Sequence, residues 1–283
     1  MAQLVPVLLK QAKEADVLIE IILIDDDSRP EYKKRNSQFS DRLQYIELKK
    51  NIGRAAIRNL FADYARYDHL LFLDCDSLIE VPYFLKNYAD SIRENPEAVF
   101  CGGRIYGEKP SEQSKSLRWK YGTYRESKSF QLRNRNPYRS FMTNNFLIPK
   151  KVMISVHFDE RLKDYGHEDT LFGYELMKNG IPVLHIDNPV LNGHLEDNAT
   201  FLLHTEKAIA NLVTILNFLE NDRNFLQEVG LLRFYFRFRY LGWLIRLKFF
   251  LFQPLLKNLL ERGRAGVLIF DVYKLGILAQ QMK

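Results

Sequence analysis

The sequence predicts an α/β domain with a mainly parallel sheet and helices on both faces, followed by a helical C-terminal extension. Three observations predict it. Short β-branched and aliphatic runs alternate with stretches whose apolar residues recur every three or four positions, as in strands joined by crossover helices. Two of those runs end in acidic clusters, Asp25-Asp26-Asp27 and Asp74-Cys75-Asp76, and ligands of such sheets sit beyond the carboxyl ends of the strands. Past residue 200 the pattern is helical throughout. The expected division is therefore a catalytic or binding domain at 1–200 and a helical region at 201–283.

In chain order, residues 3–15 read as a short helix and 18–24 as a strand running into the first acidic cluster. A second short strand is expected at 43–48. Asn51 is placed to cap a helix whose apolar face repeats at Ile57, Leu60, Phe61 and Tyr64. The strand at 70–73 meets the second acidic cluster, a helix follows Pro82, and 98–102 is another strand. Residues 104–140 are polar and basic and read as irregular. Order returns at 141–148. A helix over 168–178 stops at Asn179-Gly180, and 181–186 is the last strand of the domain.

Composition narrows the function classes. At 46% apolar and 27% charged residues, with no low-complexity run, the chain is globular. Two cysteines, Cys75 and Cys101, make no disulfide framework and lack zinc-site spacing, which suits a reducing compartment. The first residues do not read as a secretory leader. The longest uncharged stretch, 208–219, is twelve residues, against roughly 20 for a spanning helix, so no transmembrane segment is expected. Of the net charge of +6, residues 231–264 carry eight Lys/Arg against one acid, Glu261. The basicity is local, which argues against nucleic-acid binding by the protein as a whole.

Several groups are candidates for chemistry, each beside a structural reading. Asp74 and Asp76 suit a hard divalent cation, Mg²⁺ or Mn²⁺, bridged to a diphosphate; aspartates are also common in strand-end turns. Asp25 and Asp26 form a second pair at a neighbouring strand end, with the same alternative. Glu168-Asp169 stands at a helix start, where the dipole favours acids, or where one of them serves as a general base. His194, after the last strand, is a metal-ligand candidate or a loop histidine. His185 reads as buried and hydrogen-bonded, while His157 and His204 give no signal. Arg54 and Arg58, a helical turn apart, suit phosphate, the nearby acids or solvent.

In order and spacing, the segments ILIDDDS (22–28), NIGRAAIRN (51–59), LFLDCDS (71–77), TNNFLIPK (143–150) and GHEDTLFGYEL (166–176) resemble the family 2 glycosyltransferases with the GT-A (Rossmann-like) fold. The resemblance implies an inverting, metal-dependent, hexosyltransferase-like enzyme. It would move a sugar from a nucleotide-diphosphate donor to a hydroxyl of a glycan or lipid-linked acceptor, in bacterial surface-polysaccharide assembly. In that scheme Asp25 or Asp26 contacts the base, and Asp74 and Asp76 form the D-x-D pair for ribose and metal–diphosphate. Arg58 orders the D-x-D side, Asp169 is the catalytic base, Glu168 assists the acceptor, and His194 is a C-terminal metal ligand. Three departures stand out. Asp27 replaces a usual glycine, Thr143-Asn144-Asn145 replaces a commonly glycine-bearing loop, and the family's first strand is missing, which reads as a truncated start.

The segment at 231–260 interleaves cations with Phe, Tyr, Trp243 and Leu, as expected of helices lying on an anionic membrane surface. That places the protein in the cytoplasm, peripheral on the inner face of the cell membrane. The alternative is a face packed on the catalytic domain with its charges solvated. Two rival functions share the acidic signature: a sugar nucleotidyltransferase, which should carry a glycine-rich basic loop not seen here, and a membrane-docked nucleotide-sugar binder without catalysis.

Overall fold

The computed structural model describes residues 1–163 and 165–282. Helix α1 (Leu4–Glu14) buries Leu4 and Val5 and lays Leu8 and Ala12 on the cluster formed by Phe84, Leu85 and Tyr88 of α4 (Phe84–Glu94). The Gln11 amide fixes this contact. Its Nε2 donates to the Val81 carbonyl at 3.0 Å, and its Oε1 accepts from the Leu85 amide at 3.0 Å, satisfying a free N–H in the first turn of α4.

Strand β1 (Ile22–Asp25) is shorter than expected, because Leu18 lies 79% exposed and contributes nothing to the core. It pairs in parallel with β2 (Gln44–Glu47), from Ile22 opposite Gln44 to Asp25 opposite Glu47. Helix α2 (Pro30–Asn36) connects them, with Pro30 at its first position, where no amide hydrogen is needed. Helix α3 (Arg54–Tyr64) is capped differently from the sequence expectation. Gly53 holds the N-cap at φ 87°, a backbone that L side chains avoid, while Asn51 donates to the Asp26 carbonyl instead.

The main sheet runs β3 (His69–Leu73), β7 (Asn145–Pro149), β5 (Val99–Cys101), β8 (Val183–His185). Strand β7 opposes both neighbours and β5 is parallel to β8, so β3, β5 and β8 point one way. The sheet is thus mixed in its hydrogen bonding and mainly parallel in strand direction. A small second sheet joins β4 (Ser77–Leu78), β9 (Val190–Asn192) and β6 (Arg104–Ile105). Among the described residues no strand precedes β1, and the β1–β2 pair shares no ladder with β3.

Under the sheet lie α7 (Lys150–Ser155) and α8 (Glu168–Lys178), packed through an aromatic set in which Phe72 stacks on Phe146 (4.8 Å) and Phe158 on Phe172 (4.0 Å). Helix α8 ends as expected at Asn179-Gly180, with Gly180 at φ 65°. Residues 104–140, expected to be irregular, contain β6, α5 (Ser116–Tyr121), a π-helical turn at Gly122–Glu126, and α6 (Phe130–Asn134). The order escapes hydropathy because charged side chains do the burying there: Arg118 is 8% exposed and Arg133 4%.

The C-terminal region is helical as expected: α9 (Asn198–Phe218), α10 (Arg223–Glu228), α11 (Gly230–Arg237), α12 (Gly242–Glu261) and α13 (Val267–Gln281). Their core continues into Leu117 of α5 and Leu171 and Tyr174 of α8. Asn198 ties the parts polar-side, accepting from the Leu117 amide (2.9 Å) and donating to the Gln113 (3.0 Å) and Glu261 (2.9 Å) carbonyls.

Candidate active site

Strand β1 delivers Asp25 to the sheet's carboxyl end, 4% exposed. Its Oδ1 accepts from the Ser28 amide at 2.7 Å, and the Tyr45 hydroxyl of β2 is buried beside the same carboxylate. Burial, with the Asp25 charge, pushes the Tyr45 hydroxyl up from its ordinary range.

Asp26 does something else. Its carboxylate accepts from the Ile52 (2.7 Å) and Gly53 (3.1 Å) amides, clamping the loop that starts α3. Asp27 takes φ 59°, a left-handed backbone that glycine adopts freely and aspartate tolerates, and pairs with Lys33 at 2.9 Å. The departure from glycine therefore leaves the turn intact.

Asp74 leaves β3 with its amide bonded to the Asn144 carbonyl at 3.0 Å. Two guanidinium groups hold its carboxylate. Arg104 donates from Nη2 to Oδ2 at 2.9 Å, and Arg58 lies 3.9 Å from Oδ1. Arg58 also donates to the Thr143 hydroxyl (3.0 Å) and reaches Glu168 at 3.5 Å, so one side chain spans the D-x-D segment and the start of α8. Arg54 pairs with Glu168 at 3.7 Å and lies over the Tyr165 ring, 4.6 Å from its centroid. Of the readings open for these arginines, the structure places both against the acids.

Glu168 is buried, held by those arginines and by the Gly166 amide (3.0 Å). Asp169 beside it is partly accessible. Its Oδ1 accepts from the Thr170 amide at 2.7 Å and hydroxyl at 3.3 Å. Burial first, and the Glu168 charge second, raise its carboxyl to about 6. His167, at φ 65°, starts this helix and stays neutral, lowered to about 4 by burial.

His194 follows Gly193, whose amide donates to the Asp76 carbonyl at 3.0 Å; any Cβ on Gly193 would overlap that oxygen. The β4–β9 pairing, Ser77 opposite Asn192, thus sets Gly193 against the Asp76 backbone, with His194 the next residue along the chain. Among the described residues, however, no three His, Cys, Asp or Glu groups converge to hold an ion, and the Asp74 carboxylate is engaged by Arg104. The donor set fits a lesser demand. Mg²⁺ and Mn²⁺ are commonly held by one or two protein groups plus phosphate and water, and a carboxylate such as Asp76 is a hard oxygen donor of the suitable kind.

The other histidines sort as follows. His185 is 3% exposed, with Nδ1 accepting from Arg133 (2.9 Å) and Nε2 donating to the Pro137 carbonyl (2.9 Å); burial lowers it to about 4. His204 contacts Glu196 at 3.0 Å and stacks on Tyr165. Sequence reasoning missed Arg104, on a two-residue strand inside the stretch read as irregular. It also missed Asn144, 4% exposed, with both amide atoms unpartnered beside the Asp74 amide. Its neighbour Asn145 is fully engaged, accepting from Tyr88 and donating to the Gly103 and Asn188 carbonyls.

Residues 2–156, more than half of the chain, match the sequence profile of glycosyl transferase family 2. The chain belongs to that family. It is 26% identical to a chondroitin synthase of Escherichia coli, in a match covering 57% of this chain and 28% of that protein. It is also 26% identical to a hyaluronan synthase of Pasteurella multocida, covering 57% of this chain and 20% of that protein. The chain therefore spans less than a third of the curated relatives it matches. Among solved structures, S. aureus TarS 1–349 aligns with all of this chain and 88% of its own, at a TM-score of 0.51 and 16% identity. A mannosyltransferase from Pyrobaculum calidifontis, in complex with GDP-Man and Mn²⁺, aligns with 75% of this chain and 61% of its own at 0.50 and 13%. At these identities the likeness shows the fold, which is GT-A.

Proposed function

We propose that this family 2 glycosyltransferase moves a sugar, with inversion, from a nucleotide-diphosphate donor to a hydroxyl of a glycan or lipid-linked acceptor. The observation that supports the reading is Arg58 reaching both Asp74 and Glu168, so that one side chain links the D-x-D segment to the start of α8. Residues 1–200 would form the catalytic domain and 201–283 its helical extension. Asp25, buried at the strand end, is the group for the nucleotide base. Asp26 shapes the neighbouring loop, and Asp74, oriented by Arg104 and Arg58, faces the donor. Asp76 and His194 would hold Mg²⁺ or Mn²⁺. When bound, the cation offsets charge growing on the departing diphosphate.

Asp169 takes the acceptor proton as the acceptor oxygen attacks the anomeric carbon. Its Oδ1 is fixed by Thr170, which leaves Oδ2 to receive the proton. A base raised to about 6 is ionised at neutral pH yet basic enough to be useful. Glu168 keeps the Arg54–Arg58 side of the cleft in place and assists the acceptor. Relatives named as chondroitin and hyaluronan synthases support polysaccharide assembly as the setting. Among the described residues no helix is long and apolar enough to cross a membrane. The reading completes with a peripheral protein on the inner face of the cell membrane.

The test is a panel of nucleotide sugars, scored for released nucleotide diphosphate with and without Mn²⁺. Acceptor-dependent release that needs metal supports the proposal. Tight nucleotide binding with no release from any donor would leave a sugar-nucleotide binder in its place.

A further inference from the structure

Helix α12 is apolar on both sides. Phe249 and Leu260 face the core, while Trp243, Leu247, Phe250, Leu251 and Leu255 are 50–71% exposed. Trp243, Leu247, Leu251 and Leu255 recur every four positions with Phe250 beside them, so they form one ridge along the helix. A helix that is apolar all round normally has both sides covered. Leu268 (73%) and Val272 (52%) extend the exposure onto the start of α13.

Cations surround this ridge: Arg239, Lys248, Arg262 and Arg264 are all exposed. The nearest acid on α13, Asp271, is neutralised by Arg125 (2.5 Å) and Lys274 (2.8 Å). Residues 231–264 carry eight cations against one acid. A two-fold contact between copies would press these cations against their own kind, which disfavours self-association. An anionic lipid surface accepts both features, rings and aliphatic groups entering the interface and cations meeting headgroups.

We infer that the outer ridge of α12, with the first turn of α13, docks on an anionic membrane surface, with α12 lying in the membrane plane. This deepens the peripheral-membrane part of the reading above and rests on it. Trp243 to Leu255 covers about 18 Å of helix at 1.5 Å per residue, too short to span the bilayer and suited to lying along it.

The test co-sediments the full chain with phosphatidylcholine vesicles and with vesicles containing about a third phosphatidylserine, at low and physiological salt. The anionic vesicles should bind about tenfold more tightly or better. Leu247→Glu with Leu251→Glu, both on the exposed ridge, should cut that binding at least about tenfold. Lys248→Gln with Arg262→Gln should cut it several-fold and flatten its salt dependence. Nucleotide-diphosphate titration of the same variants should be unchanged, which separates a failed docking surface from a failed transferase. Equal binding to both vesicle types would overturn the inference, as would retention unaffected by the glutamates. A concentration-dependent dimer broken by those glutamates, without vesicle binding, would assign the ridge to a second copy.

Discussion

Arg104 donates to Asp74 at 2.9 Å, joining a two-residue edge strand to the first acid of the D-x-D segment. Behind it Glu126 lies 3.9 Å from Arg104 and is bound by Arg118 at 3.0 Å, with the Tyr106 hydroxyl on the same carboxylate. The Arg118 and Arg104 charges and these hydrogen bonds hold the Glu126 carboxyl below its usual range, despite a burial that works the other way. The π-helical turn carrying Glu126 thereby supports the Arg104–Asp74 contact. Arg104→Met should weaken nucleotide-diphosphate binding by roughly tenfold or more, the scale of a charged hydrogen bond. Arg104→Lys should restore part of it. Calorimetry beside a melting curve separates this from unfolding.

Asp169→Asn should leave nucleotide binding intact and lower transfer by roughly a hundredfold or more. For the unmodified chain, kcat should rise with pH through about 6, as the base ionises, and level above it. A pH–rate profile flat across that range would remove Asp169 from the role.

The same carboxyl carries a stability cost with a definite sign. Its folded pKa is raised, so the fold binds this proton more tightly than the unfolded chain and loses stability as pH rises through about 6. Asp169→Asn should therefore melt higher than the parent at pH 8, with the gap closing at pH 4. Thermal melts at the two pH values decide it.

Gly193→Ala tests the proposed cation site without replacing either proposed ligand. Its Cβ would overlap the Asp76 carbonyl oxygen, forcing the end of β9 away from the Asp76 backbone. The expected result is loss of the Mn²⁺-dependent part of nucleotide binding, with the metal-independent part retained. Titrations with Mn²⁺ and with a chelator measure both parts.

Arg133→Met should destabilise the fold by about 3 kcal/mol or more, since each buried acceptor left unpaired costs about 1–3 kcal/mol. Arg133 serves the Cys101, Gly102 and Ile186 carbonyls at 2.9–3.0 Å and the Lys128 carbonyl at 3.2 Å. Urea unfolding reads the change.

By itself the sequence determined the fold class, the alternation of strands and helices, and the acids at their ends, because hydrophobic period and strand-end chemistry are local properties. Helix α8 lay where its apolar spacing and its Asn179-Gly180 stop placed it. The tertiary structure decided which acid does what. Asp26 closes a loop, Asp74 is arginine-held and Asp76 meets the Gly193 backbone, although all three stand in similar strand-end sequences. Partners such as Arg58 with Glu168, 110 positions apart in the chain, meet only when the sheet assembles. Arg104, Arg118 and Arg133 lie in a polar, basic stretch that reads as irregular, yet carbonyls and carboxylates from other segments surround them. A buried charge is tolerable only where such partners converge, and that convergence belongs to the folded chain as a whole.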